Sequence, residues 1–109
     1  YVLGYESAST AARFMTRCFD VTDQFKQDAP AAVHVDGTAR PQLVDAETLP
    51  ELHAVLTRLG ALTGAPVLIN TSFNLHEEPI VCTPSDAVRA FQQARLDGLW
   101  MGSFVAERA

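Results

Sequence analysis

Arg40 is the side chain of this sequence best suited to holding an anion. A guanidinium stays charged at any working pH and can fork two N–H donors onto phosphate or carboxylate oxygens. It sits just past an abrupt stop in an apolar run: Ala31-Ala32-Val33-His34-Val35 reads as a strand, and Asp36-Gly37 is a strong turn signal. Pro41 pushes Arg40 itself into an extended conformation. A structural reading stands beside the chemical one, a surface arginine paired with Asp36 or Asp45. The second cluster is Asn70, Thr71, Ser72 and Asn74, which follows the apolar run Val67-Leu68-Ile69. Asn and Ser offer neutral donors and acceptors for phosphate, carbonyl or amide groups. Ligands collect outside the carboxyl ends of strands in open α/β sheets. The same polar residues would equally satisfy backbone groups in a turn.

The remaining polar groups carry less. His34 lies within an apolar strand pattern, where a histidine is either a satisfied core residue or a site group. His76 with Glu77 and Glu78 has the makings of a metal or acid/base cluster, but no second ligand group is spaced for it, and a solvated loop accounts for it better. His53 falls between core positions of a helix and reads as exposed. There is no glycine-rich phosphate loop of either familiar type. Ser7, Ser9, Ser72, Ser85 and Ser103 lie in no nucleophile-elbow pattern. Residue types alone describe an α/β domain with an anion or nucleotide site.

Two helices must position these loops. Leu49 to Thr63 places Leu49, Leu52, Val55, Leu56, Leu59 and Leu62 on one face at helical spacing. Thr48 is a candidate cap, Pro50 suits the first turn, and Gly64 the left-handed end. Thr83 caps a second helix that starts at Pro84 and buries Ala87, Val88, Phe91 and Ala94, with Asp86 in its first turn. Val67–Ile69 and Leu99–Val105 read as strands of one sheet, joined through that helix by a right-handed parallel crossover. The expected core includes Leu52, Leu56, Leu59, Val67, Ile69, Phe91 and Trp100. Tyr1 to Tyr5 reads as a strand tail, Ala11 to Val21 as a strand, Asp20 to Pro30 as a loop or single helical turn, and Gln42 to Val44 as a short strand.

Composition sets outer bounds. The chain has 109 residues, 48% of them hydrophobic, which suits one domain with a modest core. Its net charge of −5 carries no basic block, so neither nucleic acid nor an anionic membrane surface is an expected partner. No apolar run spans a bilayer and no signal peptide is visible. Cys18 and Cys82 have neither metal-ligand nor redox-pair spacing and read as reduced thiols of a cytoplasmic protein. The chain begins at Tyr1 without Met, and a piece of a longer protein is expected.

Three stretches in register are similar to the carboxyl-terminal domain of O-carbamoyltransferases, the family of nodulation-factor and antibiotic carbamoylating enzymes. They are His34-Val35-Asp36-Gly37-Thr38-Ala39-Arg40-Pro41-Gln42, Thr63 through Asn74, and Glu78-Pro79-Ile80-Val81-Cys82-Thr83-Pro84. The closing Leu96-Asp97-Gly98-Leu99-Trp100-Met101-Gly102 fits as well. The resemblance implies that residues 1–109 are part of a YrdC-like α/β domain, a twisted mixed sheet with packed helices. It implies binding of ATP with Mg²⁺ and of carbamoyl phosphate, to make carbamoyl-adenylate. An N-terminal domain of the same protein, outside this sequence and holding a histidine-bound metal, would pass the carbamoyl group to a hydroxyl of a small molecule or sugar. By motif, Arg40 would hold phosphate or nucleotide, and Asn70 and Ser72 would contact the carbamoyl or adenylate group. His34 and Asn74 would lie near by. One departure stands out: where the family has a basic residue and a glycine before its Glu-Pro-Ile-Val, this sequence has His76 and Glu77. The competing class is a non-catalytic α/β module whose strand-end loops hold a partner or small anion. The acceptor hydroxyl and the oligomeric state are not legible here.

Overall fold

The computed structural model describes residues 1–108. It is a small mixed α/β chain with short antiparallel sheets, divided into two compact units, Tyr1–Ile69 and a second that begins at Asn70.

In the first unit the opening residues pair antiparallel with residues 20–22. The Leu3 N–H donates to the Asp20 carbonyl and the Thr22 N–H to the Tyr1 carbonyl, each at 2.9 Å, around a Val2–Val21 bridge. Helix α1 (Ser9–Arg13) takes the start of the segment expected as a strand, because Ala11-Ala12-Arg13 are strong helix formers. The strand survives only as β1 (Phe19–Asp20). Helix α2 (Asp23–Asp28) takes the stretch expected as a loop or single helical turn, and the Thr22 hydroxyl caps it by accepting from the Phe25 N–H at 3.1 Å. The strand expected at 31–35 is absent. Pro30, which favours a helical φ and has no N–H for a ladder, instead opens a 3₁₀ turn at Pro30–Ala32. Pairing shifts beyond the Asp36-Gly37 turn to β2 (Thr38–Ala39), antiparallel to β1 with Phe19 opposite Ala39. Val21, Phe25 and Ala39 form the core, with Ala29, Ala32, Val33 and Val67 packed on it. No strand forms at residues 42–44, where the Leu43 N–H donates to the Ala12 carbonyl.

Helix α3 (Pro50–Thr63) ends at Gly64 with φ 83°, as expected. Thr48 is not its cap. The Asp45 carboxylate takes the N–H groups of Glu47 and Thr48 instead, at 3.1 and 2.9 Å, and holds the approach to the helix. Gly60 inside the helix has a packing reason. A Cβ there would stand 3.0 Å from Cβ of Pro66, so glycine lets the returning chain lie against the helix. Leu52, Leu56 and Leu59 are half-buried rather than fully buried.

The run Val67–Ile69 is not a strand. Pro66 brings no donor, the Val67 N–H turns back to the Ala65 carbonyl, and no described strand pairs with the run. Val67 is half-buried, but Ile69 is 60% exposed. A strand exists only against a partner, and an apolar run does not name one.

In the second unit, helix α4 (Pro84–Gln93) begins with the full reciprocal cap that Thr83 and Asp86 announce. Its end is closed by two bonds, Leu96 N–H to the Phe91 carbonyl and Arg95 N–H to the Gln92 carbonyl, with Arg95 at φ 54° in the place glycine usually takes. The segment expected as one strand from Leu99 to Val105 is a hairpin of β3 (Gly98–Met101) and β4 (Phe104–Glu107). Gly102, at φ 59°, makes the two-residue turn with Ser103. Gly-Ser between apolar runs is a hairpin signal, and it replaces the expected parallel crossover by antiparallel pairing. Ala87, Phe91 and Leu99 are buried together, with Phe73, Val81 and Met101 against them. Trp100 falls on the opposite face from Leu99, 50% exposed, where its indole N–H donates to the Gly102 carbonyl at 2.7 Å. No helix is long and apolar enough to cross a membrane.

Candidate functional site

Arg40 follows β2 directly and is exposed. Neither carboxylate offered to it by the sequence takes it. Asp36 Oδ1 accepts the Thr38 N–H at 3.0 Å and the Thr38 hydroxyl at 2.7 Å. Those two bonds hold its carboxyl below the usual range, the hydroxyl contributing most. Asp45 is engaged by the N–H groups of Thr48 and Glu47 and, at 3.3 Å, by Arg13, and it too is held low, chiefly by Thr48. Among the described residues, no ion pair involves Arg40.

His34 is exposed and is therefore not a core histidine. Its N–H donates across the turn to the Thr38 carbonyl at 2.7 Å, and its ring Nδ1 lies 3.0 Å from the Thr38 hydroxyl. The turn thus joins His34, Asp36 and Thr38 into one hydrogen-bonded chain, two residues ahead of Arg40. Thr38 and Asp36 were not foreseen as site residues. The Asp-Gly turn was legible, but the register that sets His34 against Thr38 was not.

Asn70, Ser72 and Asn74 belong to the second unit. Asn70 and Ser72 are exposed, and the Thr71 hydroxyl leans on the Ser72 carbonyl at 3.4 Å. Asn74 has a bracing role. Its amide nitrogen donates to the carbonyls of Leu75 and Glu78, at 2.9 and 3.1 Å. The Val81 N–H closes the same loop on the Phe73 carbonyl at 2.9 Å. Within this loop Glu77 holds φ 63°, the left-handed region. Glu78 accepts a fork from Arg89 at 2.9 and 2.7 Å, which ties the loop to α4 and lowers the Glu78 carboxyl, through the hydrogen bonds above all. Eleven residues separate that pair, and no local pattern in the sequence signals it. No group of three or more His, Cys, Asp or Glu fit to hold a metal ion occurs among the described residues.

Residues 3–108 match the family model described as carbamoyltransferase C-terminus. The chain is 48% identical over 80 residues to an uncharacterised protein, sll1178, of Synechocystis, covering 73% of this chain and 13% of that protein. It is 45% identical over 78 residues to nodulation protein NolO of Bradyrhizobium diazoefficiens, covering 72% and 14% respectively. It is 34% identical over 79 residues to 3'-hydroxymethylcephem-O-carbamoyltransferase of Amycolatopsis lactamdurans, covering 72% and 15%. The chain therefore spans well under a fifth of the length of these curated relatives.

Proposed function

The chain belongs to the carbamoyltransferase C-terminus family, and from that premise we propose that it is part of an O-carbamoyltransferase, in the domain that binds ATP and carbamoyl phosphate and forms carbamoyl-adenylate. The family match over residues 3–108 carries this reading, and one relative is itself named an O-carbamoyltransferase. In this proposal the chain is part of a YrdC-like α/β domain, and a separate N-terminal domain transfers the carbamoyl group to a hydroxyl of a small molecule or sugar. The protein works in the cytoplasm.

The residue chemistry is compatible with that assignment. Forming carbamoyl-adenylate brings two anions together, so neutralisation and positioning matter more than a protein nucleophile. Arg40 has a guanidinium that no carboxylate of the described chain neutralises, and it holds phosphate oxygens of ATP or carbamoyl phosphate. Asn70 and Ser72 supply neutral hydrogen bonds to the carbamoyl or adenylate group. Mg²⁺ would come bound to the phosphates of ATP and would neutralise part of their charge beside Arg40.

The test is carbamoyl-phosphate-dependent exchange of pyrophosphate into ATP by the full-length protein, with thermal melts alongside. Arg40→Ala removes a charge-assisted contact of roughly 1.5–3 kcal/mol. It should reduce exchange or ATP affinity at least about tenfold, with an unchanged melt. Ser72→Ala should cost less, because a neutral hydrogen bond is weaker. Full exchange by Arg40→Ala with an unchanged melt would remove Arg40 from the site, and loss only through unfolding would make it a structural residue.

A further inference from the structure

We propose that His34 reads the amide end of carbamoyl phosphate, and that Asp36 and Thr38 are positioning residues that fix its ring for this task. The inference rests on the assignment of Arg40 to a phosphate-binding site and extends it to substrate discrimination.

The argument starts from one proton. A threonine hydroxyl has a single hydrogen to give. Thr38 gives it to Asp36 Oδ1 at 2.7 Å, since an ionised carboxylate can only accept. The 3.0 Å contact between the Thr38 oxygen and His34 Nδ1 must then be filled by a hydrogen on Nδ1. The Asp36–Thr38–His34 chain thus selects the tautomer: in the neutral ring Nδ1 carries the proton and Nε2 carries the lone pair. Nε2 lies across the ring from Thr38, on an exposed residue. His34 therefore offers an oriented acceptor to whatever lies beside it.

Arg40 supplies the complementary group. Ala39 points into the core, 4% exposed, so Thr38 leaves the chain on the other side of β2 by strand alternation, and Arg40, which follows β2, is exposed. Two residues of extended chain separate them, about 7 Å. A guanidinium thus stands two residues along the chain from Thr38, which holds His34, while the Asp36 charge is spent on Thr38. An acceptor and a cation so close along the chain suit a small ligand with an N–H donor at one end and anionic oxygens at the other. Carbamoyl phosphate has this pattern. Acetyl phosphate has the anion but a methyl group in place of the amide, and would leave the Nε2 lone pair unmatched.

Two measurements on the full-length protein, ¹⁵N-labelled at histidine, decide it. Long-range ¹H–¹⁵N spectra, assigned with His34→Ala, should show the Nδ1–H tautomer in the wild type. That preference should be lost in Thr38→Val and restored in Thr38→Ser. Kinetically, His34→Ala should raise the KM for carbamoyl phosphate at least tenfold with the KM for ATP unchanged. It should also abolish the tighter inhibition by carbamoyl phosphate analogues bearing an amide relative to acetyl phosphate. Thr38→Val should follow in the same direction, with Thr38→Ser close to wild type. An Nε2–H tautomer in the wild type overturns the positioning chain. A normal tautomer with an unchanged KM for carbamoyl phosphate in His34→Ala overturns the role in discrimination. If wild-type protein shows no carbamoyl-phosphate-dependent exchange at all, the carbamoyl-adenylate assignment and this substrate role fall together, and the spectra alone report whether the positioning chain stands.

Discussion

Glu77 holds a backbone φ of 63°, where the side chain of an L-residue crowds its own carbonyl. The resemblance implies glycine there, and glycine adopts that conformation without the crowding. The loop is over-determined by its neighbours: the Asn74 amide on two carbonyls, Glu78 forked by Arg89, and Val81 bonded to Phe73. Together they hold Glu77 in place at a cost of about 1 kcal/mol. Glu77→Gly should recover about that much stability in denaturant unfolding, even though glycine loosens the unfolded chain. Glu77→Gln, which removes the charge and keeps the crowding, should recover little. Equal gains from both would mean that charge repulsion, and not the backbone, sets the cost. The signal here is direct, because Glu at a position where the resemblance implies glycine predicts either a changed turn or a strained one. At Arg40 the sequence was legible up to the loop and its exposure. The occupancy of Asp36 and Asp45 was not, since each is taken by backbone N–H groups that the chain presents only once its turns are formed.

Helix α4 was readable from its ends because its signals are local. Thr83, Pro84 and Asp86 act within one turn, and the structure contains both halves of their reciprocal cap. Thr83 N–H and its hydroxyl donate to Asp86 Oδ2 at 3.0 and 2.7 Å, and the Asp86 N–H returns to the Thr83 hydroxyl at 3.2 Å. The Asp86 carboxyl is lowered accordingly, chiefly by the Thr83 hydroxyl. A depressed carboxyl contributes stability that is fully present above its unfolded pKa and is lost as pH falls through the folded value. The stability of the second unit should therefore drop as the medium is taken below about pH 4, and Asp86→Asn should flatten that limb. Thr83→Ala should cost about 1 kcal/mol at neutral pH. Combined with Asp86→Asn it should cost less than the sum, since the two share their bonds. An additive double variant would show that the two residues act separately. Strands were less legible than helices for the opposite reason. Residues 67–69 and 99–105 have apolar content in plenty, but strand identity depends on a distant partner. The Gly102-Ser103 turn is itself a local signal, yet the segment around it was expected as one strand and is a hairpin.

At the scale of the chain, the core is thin. Buried apolar residues are mostly alanine and phenylalanine, and among the described residues no large side chain is completely enclosed. Arg40, Asn70 and Ser72 are all exposed. Hydrogen bonds and a fixed cation stabilise a developing charge most where water is excluded and the groups cannot reorganise. A reactive mixed anhydride also survives only where water is kept from it. The chain spans 13–18% of its relatives' length, so in the proposed enzyme most of the enclosing surface is supplied by other parts of the protein. Residues 1–109 purified alone should therefore transfer no carbamoyl group to a hydroxyl acceptor, under conditions in which the full-length protein does. The measurement is mass-spectrometric detection of carbamoylated acceptor with ATP, Mg²⁺ and carbamoyl phosphate present. Phe91→Ala, which empties part of the second unit's core at a cost of about 3–5 kcal/mol, controls for a contaminating enzyme. Transfer by the 109-residue chain that disappears in Phe91→Ala would place the whole reaction in this segment and refute the division of labour. Transfer that persists in Phe91→Ala would belong to a contaminant. No transfer by the chain, with activity in the full-length protein, is the expected result, because in the proposed enzyme this segment carries only part of the substrate-holding groups and little of the surface that encloses them.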